Sequence, residues 1–114
     1  MYNYHSQLVM ALNTILPVHY EMQLTSGAAL PCISYMELTN YSEAEGDTLR
    51  YSVISYQVKV WAKTVAEIQQ YAAAIDTKMK ALGFTRTSSA ELSDNQTSII
   101  QKVLTYDGKA LETV

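Results

Sequence analysis

The chain is poor in the residues that most often announce a mechanism. Its 114 residues include one cysteine, two histidines, two prolines, four glycines, one phenylalanine and one tryptophan. Cys32 cannot pair within the chain, so a disulfide framework is excluded and a reducing compartment is expected. Neither GxxxxGK-S/T nor GxGxxG occurs, so no phosphate-cradling loop is expected. His5 and His19 sit in an N-terminal turn and an early strand, away from other ligand types at metal spacing. Charged residues make up 17%, below the usual quarter or so, and the net charge is −3. The basic residues are scattered from Arg50 to Lys109 without the clustering that a nucleic-acid grip needs. No apolar run approaches the roughly 18 residues of a membrane span. The start, MYNYHSQLVM, lacks the basic segment and apolar core of a signal peptide. These shortages leave no catalytic, cofactor-binding or metal-binding residues to assign, and no enzyme is expected.

What remains is patterned for a small α+β domain. Its length suits one domain able to bury about two-thirds of its unfolded surface. Tyr4, Leu8, Ala11, Leu12, Ile15 and Leu16 form an apolar stripe, which predicts a helix over 4–16 stopped by Pro17. Residues 18–24 alternate as a half-buried strand. Pro31 opens a second strand, 32–41. Residues 42–48, with Glu43, Glu45, Gly46 and Asp47, read as an acidic hairpin loop. A long strand follows over 49–62. Thr64-Val65-Ala66-Glu67 fits a capping box, and Val65, Ile68, Ala72, Ile75, Met79 and Leu82 form the buried stripe of a second helix. Gly83 and Phe84 fit the left-handed close of that helix. Strands over 84–91 and 97–106 complete an α-β-β-β-α-β-β order: a mixed, mostly antiparallel sheet of four to five strands with two helices packed on it. Residues 1–108 are expected to form the domain, with a hairpin arm near 42–50. Residues 109–114 are expected to form a loose tail after the turn signal Asp107-Gly108.

The strand YSVISYQVKVWA holds the clearest candidate contacts. One face carries Ile54, Tyr56, Val58, Val60 and Ala62. The other has Ser55, Gln57 and Lys59 in the middle but Tyr51, Val53 and Trp61 at its ends. Tyr51, Val53 and Trp61, with Glu43, Glu45 and Asp47 of the hairpin, are the expected subunit or partner contacts. Nine tyrosines against one phenylalanine fit two accounts, strand propensity or surfaces buried on association.

The order of elements also carries a resemblance. A helix leads to Leu16-Pro17, then the strand PCISYMELTNY, a long alternating strand, a capped helix ending KALGF, and the closing IIQKVLTYDG. Over about residues 4–108 this resembles the tail-terminator and tail-completion proteins of long-tailed bacteriophages. The resemblance implies a homo-hexameric ring that caps the tail tube, stops its polymerisation and meets head-completion or stopper proteins. DNA would cross the lumen without sequence-specific binding. It implies no cofactor and no membrane. The location would be the virion neck or tail, after assembly in the host cytoplasm. Two alternatives stay open: a head-closure or adaptor protein of the phage neck, and a small ligand-binding α+β domain with a pocket lined by His5, His19 or Cys32.

Overall fold

A computed structural model describes residues 3–21, 29–45, 49–94 and 98–111. The elements are α1 (His5–Leu12), β1 (Val18–Tyr20), β2 (Cys32–Glu45), β3 (Leu49–Ala62), α2 (Val65–Ala81), β4 (Thr85–Asp94) and β5 (Ile99–Leu111). This is the α+β order expected. The strands form one sheet in the order β1-β2-β3-β5-β4, with only β1–β2 parallel. The molecule is elongated, 54 × 23 × 23 Å, because 14 residues at the strand rise extend β2 and β3 to about 46 Å.

Both helices lie on one face. Ile54, Tyr56, Val58, Val60 and Ala62 of β3 are fully buried, together with Leu8 and Leu12 of α1 and Ile68, Ile75 and Met79 of α2. The alternation in β3 and the stripe in α2 therefore meet as their spacings require, except that Val65, in the first turn of α2 and expected in that stripe, is 48% exposed. Thr64 starts α2: its hydroxyl oxygen accepts from the Glu67 backbone N–H at 3.2 Å and its proton goes to the Glu67 carboxylate. Gly83 ends it at φ +93°, where the Phe84 N–H donates to the Met79 carbonyl and the Gly83 N–H to the Lys80 carbonyl.

Several boundaries differ from the sequence expectation. β1, expected over 18–24, ends at Tyr20 with Glu21 already outside the strand, and residues 22–24 lie outside the described residues. The first helix stops at Leu12, and turns carry the chain on to Leu16. Thr14 contributes, its hydroxyl donating to the Ala11 carbonyl at 2.6 Å in competition with the helix ladder. β2 runs on to Glu45, so Ser42 to Glu45, expected in the loop, are laddered to Leu49–Ser52. β4 reaches Asp94, three residues beyond the expected end. The expected loose tail is strand as far as Leu111: Lys109, Ala110 and Leu111 pair with Val53, Ser52 and Tyr51. Asp107-Gly108 is no turn. Gly108 lies opposite Ile54, and a Cβ built there would stand 2.8 Å from the Phe84 ring. The glycine permits a close approach inside a strand.

The tyrosines divide. Tyr35, Tyr56 and Tyr106 are buried, and Tyr4, Tyr20 and Tyr71 pack against the core. Tyr56 is the hub of an aromatic cluster, with ring centroids 5.7 Å from His5, 6.2 Å from Tyr35 and 5.7 Å from Phe84. Among the described residues most of the tyrosine is therefore intramolecular, leaving Tyr41 and Tyr51 on the opposite face of the sheet; Tyr2 lies outside them.

Candidate functional site: the outer sheet face

The pairing register lays out the face away from the helices as rows across β2, β3 and β5. From one end they are Cys32–Trp61–Gln101, Ser34–Lys59–Val103, Met36–Gln57–Thr105, Thr39–Ser55–Asp107, Tyr41–Val53–Lys109 and Glu43–Tyr51–Leu111. Trp61 and Tyr51 stand ten residues apart on β3, about 33 Å at the strand rise. The expected contact residues thus form two separate groups.

At the Trp61 end, the indole N–H donates to the Ser34 hydroxyl at 2.8 Å. Ser34, fully buried, donates to the Glu21 carboxylate, which also binds the Lys59 ammonium. Lys59 lies 5.7 Å from the centre of the Trp61 ring, a cation–π contact. The tryptophan on the polar face is therefore anchored by its polar edge to its own chain, with part of its ring accessible. Burial raises the Cys32 thiol pKa, which keeps it protonated and unreactive.

The Tyr51 end repeats the scheme. Lys109 lies 6.0 Å from the Tyr51 ring centre and 3.6 Å from the Glu43 carboxylate. Glu43 and Tyr51 are thus brought together, and Val53 stands between Tyr41 and Lys109. Glu45 ends β2; Asp47 lies outside the described residues. Midway, Ser55 donates to Asp107 at 2.6 Å.

Tyr41 belongs to this surface, 55% exposed. A register shift between Glu37 and Thr39 explains why the sequence pattern does not show it. Unbroken alternation puts Tyr41 on the same face as Ile33 and Tyr35, and the extra residue turns it outward. Lys109, Glu21 and Ser34 join the clusters through cross-strand neighbours that no local pattern reveals.

On the helix side, a shallow groove of about 430 Å³ is lined by Gln69, Ala72, Ala73, Asp76, Thr77, Arg86 and Lys102. None of His5, His19 or Cys32 lines it. His5 instead contacts the Tyr35 hydroxyl at 3.1 Å within the aromatic cluster. Among the described residues, no three His, Cys, Asp or Glu side chains are grouped to hold a metal. Asp76 is the ionic centre of the groove: it accepts from Tyr106 at 3.1 Å and pairs with Lys80 at 3.2 Å and Arg86 at 3.8 Å. Burial pushes its carboxyl pKa up. The hydrogen bonds from Lys80 and Tyr106 and the two positive charges outweigh burial, and the net shift is down.

A depressed carboxyl pKa stabilises the fold above the ordinary aspartate value and loses that contribution as pH falls through the folded value. Asp76→Asn, which keeps an acceptor for Tyr106, is therefore expected to cost about 1 kcal/mol at pH 7, since Lys80 and Arg86 are solvent-exposed. Urea unfolding at pH 7 and pH 3 should show the difference from wild type shrinking at the lower pH. A difference independent of pH would show that the charge contributes nothing.

Among the described residues this is a helix-backed sheet in which Glu21, Glu43 and Asp76 each pair with a basic side chain. The family model for the tail completion protein gp17 matches residues 8–108, and the chain belongs to that family of structural virion proteins. No curated protein matches the sequence. Among solved structures, a chain in the virion of a native gene transfer agent particle shares the fold at a TM-score of 0.56 and 12% identity, covering 92% of this chain and 84% of that one. The chain has a tail-associated structural role.

Proposed function

We propose that the chain forms a ring at the head-proximal end of a phage tail tube, ends tube polymerisation and joins the tail to head-completion proteins. The family match over residues 8–108 carries this reading. A head-to-tail ring needs two different surfaces on each copy. The outer face supplies candidates at its two ends, Trp61 at one and Tyr41, Glu43, Tyr51 and Val53 at the other. Ring closure as a homo-hexamer follows the family resemblance. A net charge of −3 per chain suits a conduit that lets DNA pass rather than gripping it.

Two experiments test the reading. Particles assembled without the protein should show tails of irregular length or tails detached from heads under negative stain; joined tails of normal length would overturn the proposal. Charge reversal of Glu43, Glu45 and Asp47 to lysine tests the acidic hairpin as a contact arm. Head-joined tails should fall at least tenfold while the purified variant keeps its far-UV spectrum, and unchanged assembly would remove the hairpin from the interface.

A further inference from the structure

Charge is unevenly placed along this chain. Three of its 11 acidic residues, Glu43, Glu45 and Asp47, are crowded into the β2–β3 hairpin, where Arg50 is the one cation of residues 42–50. Cations gather elsewhere. The groove between α2 and the helix-side face of β4 and β5 is lined by Arg86 and Lys102, with Asp76 as its one carboxylate. Asp76 is already committed to Lys80 and Arg86. Lys102 is not committed. Glu91 lies opposite it in the register, yet among the described residues Lys102 makes no ion pair. Lys80, Arg86 and Lys102 outnumber Asp76 and Glu91, so the groove is locally positive on a chain whose net charge is −3.

The hairpin cannot serve the groove of its own chain. Thr85, the first residue of β4, pairs with Asp107, which pairs with Ser55. β3 begins at Leu49, so β2 and β3 run about 20 Å past the start of β4. The groove lies the other way, since Arg86 and Lys102 stand at the rows of Tyr56 and Val60. Even the nearer row is about 23 Å from Leu49, and the hairpin points away from it. A contact between hairpin and groove therefore joins two copies. It uses a different surface on each, as head-to-tail closure requires. Glu43 gives up little by changing partners. Its pair with Lys109, at 3.6 Å, is solvent-exposed on both sides, and such pairs contribute little. Residues 46–48 lie outside the described residues.

We infer that the acidic hairpin of one copy, Glu43 to Asp47, seats its carboxylates in the groove of the next copy, with Lys102 and Arg86 as the receiving cations. This deepens the ring reading and rests on it.

The test is a charge exchange in the full chain, read as the yield of head-joined tails. Gln69→Glu/Lys102→Glu reverses the groove while leaving the Asp76 pairs in place, and the purified variant should keep its far-UV spectrum. Assembly should fall at least tenfold. Adding Glu43→Lys, Glu45→Lys and Asp47→Lys to that variant should restore most of it, because both sides of the contact are then exchanged. Undiminished assembly of the groove variant would overturn the inference. So would a hairpin reversal that blocks assembly and is not rescued in the combination, which would give the hairpin another partner and leave the ring intact. A second measure does not depend on charge. Thr77 lines the groove and is exposed, and Cys32 is buried. Glu45→Cys/Thr77→Cys, incorporated into particles and mildly oxidised, should give a ladder of covalent multimers on a non-reducing gel, with both single variants monomeric. Assembled multimers without a ladder would overturn the contact. Particles holding one copy per tail would overturn the ring reading itself.

Discussion

Tyr56→Ala is expected to destabilise the domain by about 3–5 kcal/mol, the usual cost of deleting a buried aromatic side chain. That is on the order of 10–20 °C in Tm for a domain of this size. Tyr56 is fully buried at the centre of β3 and touches rings from α1, β2 and the end of α2. No neighbour can relax into the space without breaking another of these contacts. Its hydroxyl also reaches both sides of the core, donating to the Glu37 carboxylate at 3.5 Å and accepting from the Tyr4 backbone N–H. Burial, reinforced by the charge of Glu37, drives the Tyr56 pKa up, so the hydroxyl keeps its proton. Tyr56→Phe removes only that polar link and should cost about 1 kcal/mol. Urea unfolding of the two variants checks the ratio. If phenylalanine cost as much as alanine, the polar link rather than the packed ring would hold the core.

The contrast between what the sequence showed and what it hid follows from the range of the forces involved. β3 and α2 were legible because hydrophobic alternation, the Thr64 cap and the Gly83 close are local and depend on residues within a few positions. The inward-facing stripe of β3 needs no tertiary information beyond the presence of something to bury it. The end of α1 was not legible, because apolar spacing continues to Leu16 while the backbone has already left the helix at Leu12. Tyr41 was hidden by one extra residue in β2, whose effect is to exchange the two faces of everything after it. The candidate contacts were half visible. Tyr51, Val53 and Trp61 stand out as large side chains among polar ones, but their partners Lys109, Glu43, Ser34 and Glu21 come from cross-strand register. Family membership was legible as an order of elements, since a structural protein offers no catalytic motif to recognise.

Gly108→Val is the second substitution expected to do large damage, and it separates two explanations of the same glycine. In an unpacked tail, Gly108 would tolerate valine. As the partner of Ile54 under the Phe84 ring, it should not. A Cβ added there would stand 2.8 Å from Phe84 Cδ1 and Cε1. Phe84 has little room to yield: it is 3% exposed, its backbone closes α2, and its ring packs on Tyr4 at 4.9 Å and Tyr56 at 5.7 Å. Overpacking of this kind costs about 1–3 kcal/mol, and valine adds more volume at the clash than alanine does. The sign of the Gly108→Ala effect then depends on its neighbour. Alanine in a strand interior is otherwise favoured over glycine by roughly 0.5–1 kcal/mol. In a Phe84→Ala background the clash is gone, so Gly108→Ala should turn from destabilising to stabilising, with a coupling of at least about 1 kcal/mol between the two sites. Additive effects across that double-mutant cycle would mean that Phe84 does not press on Gly108, and the close packing assigned to this end of β5 would be wrong.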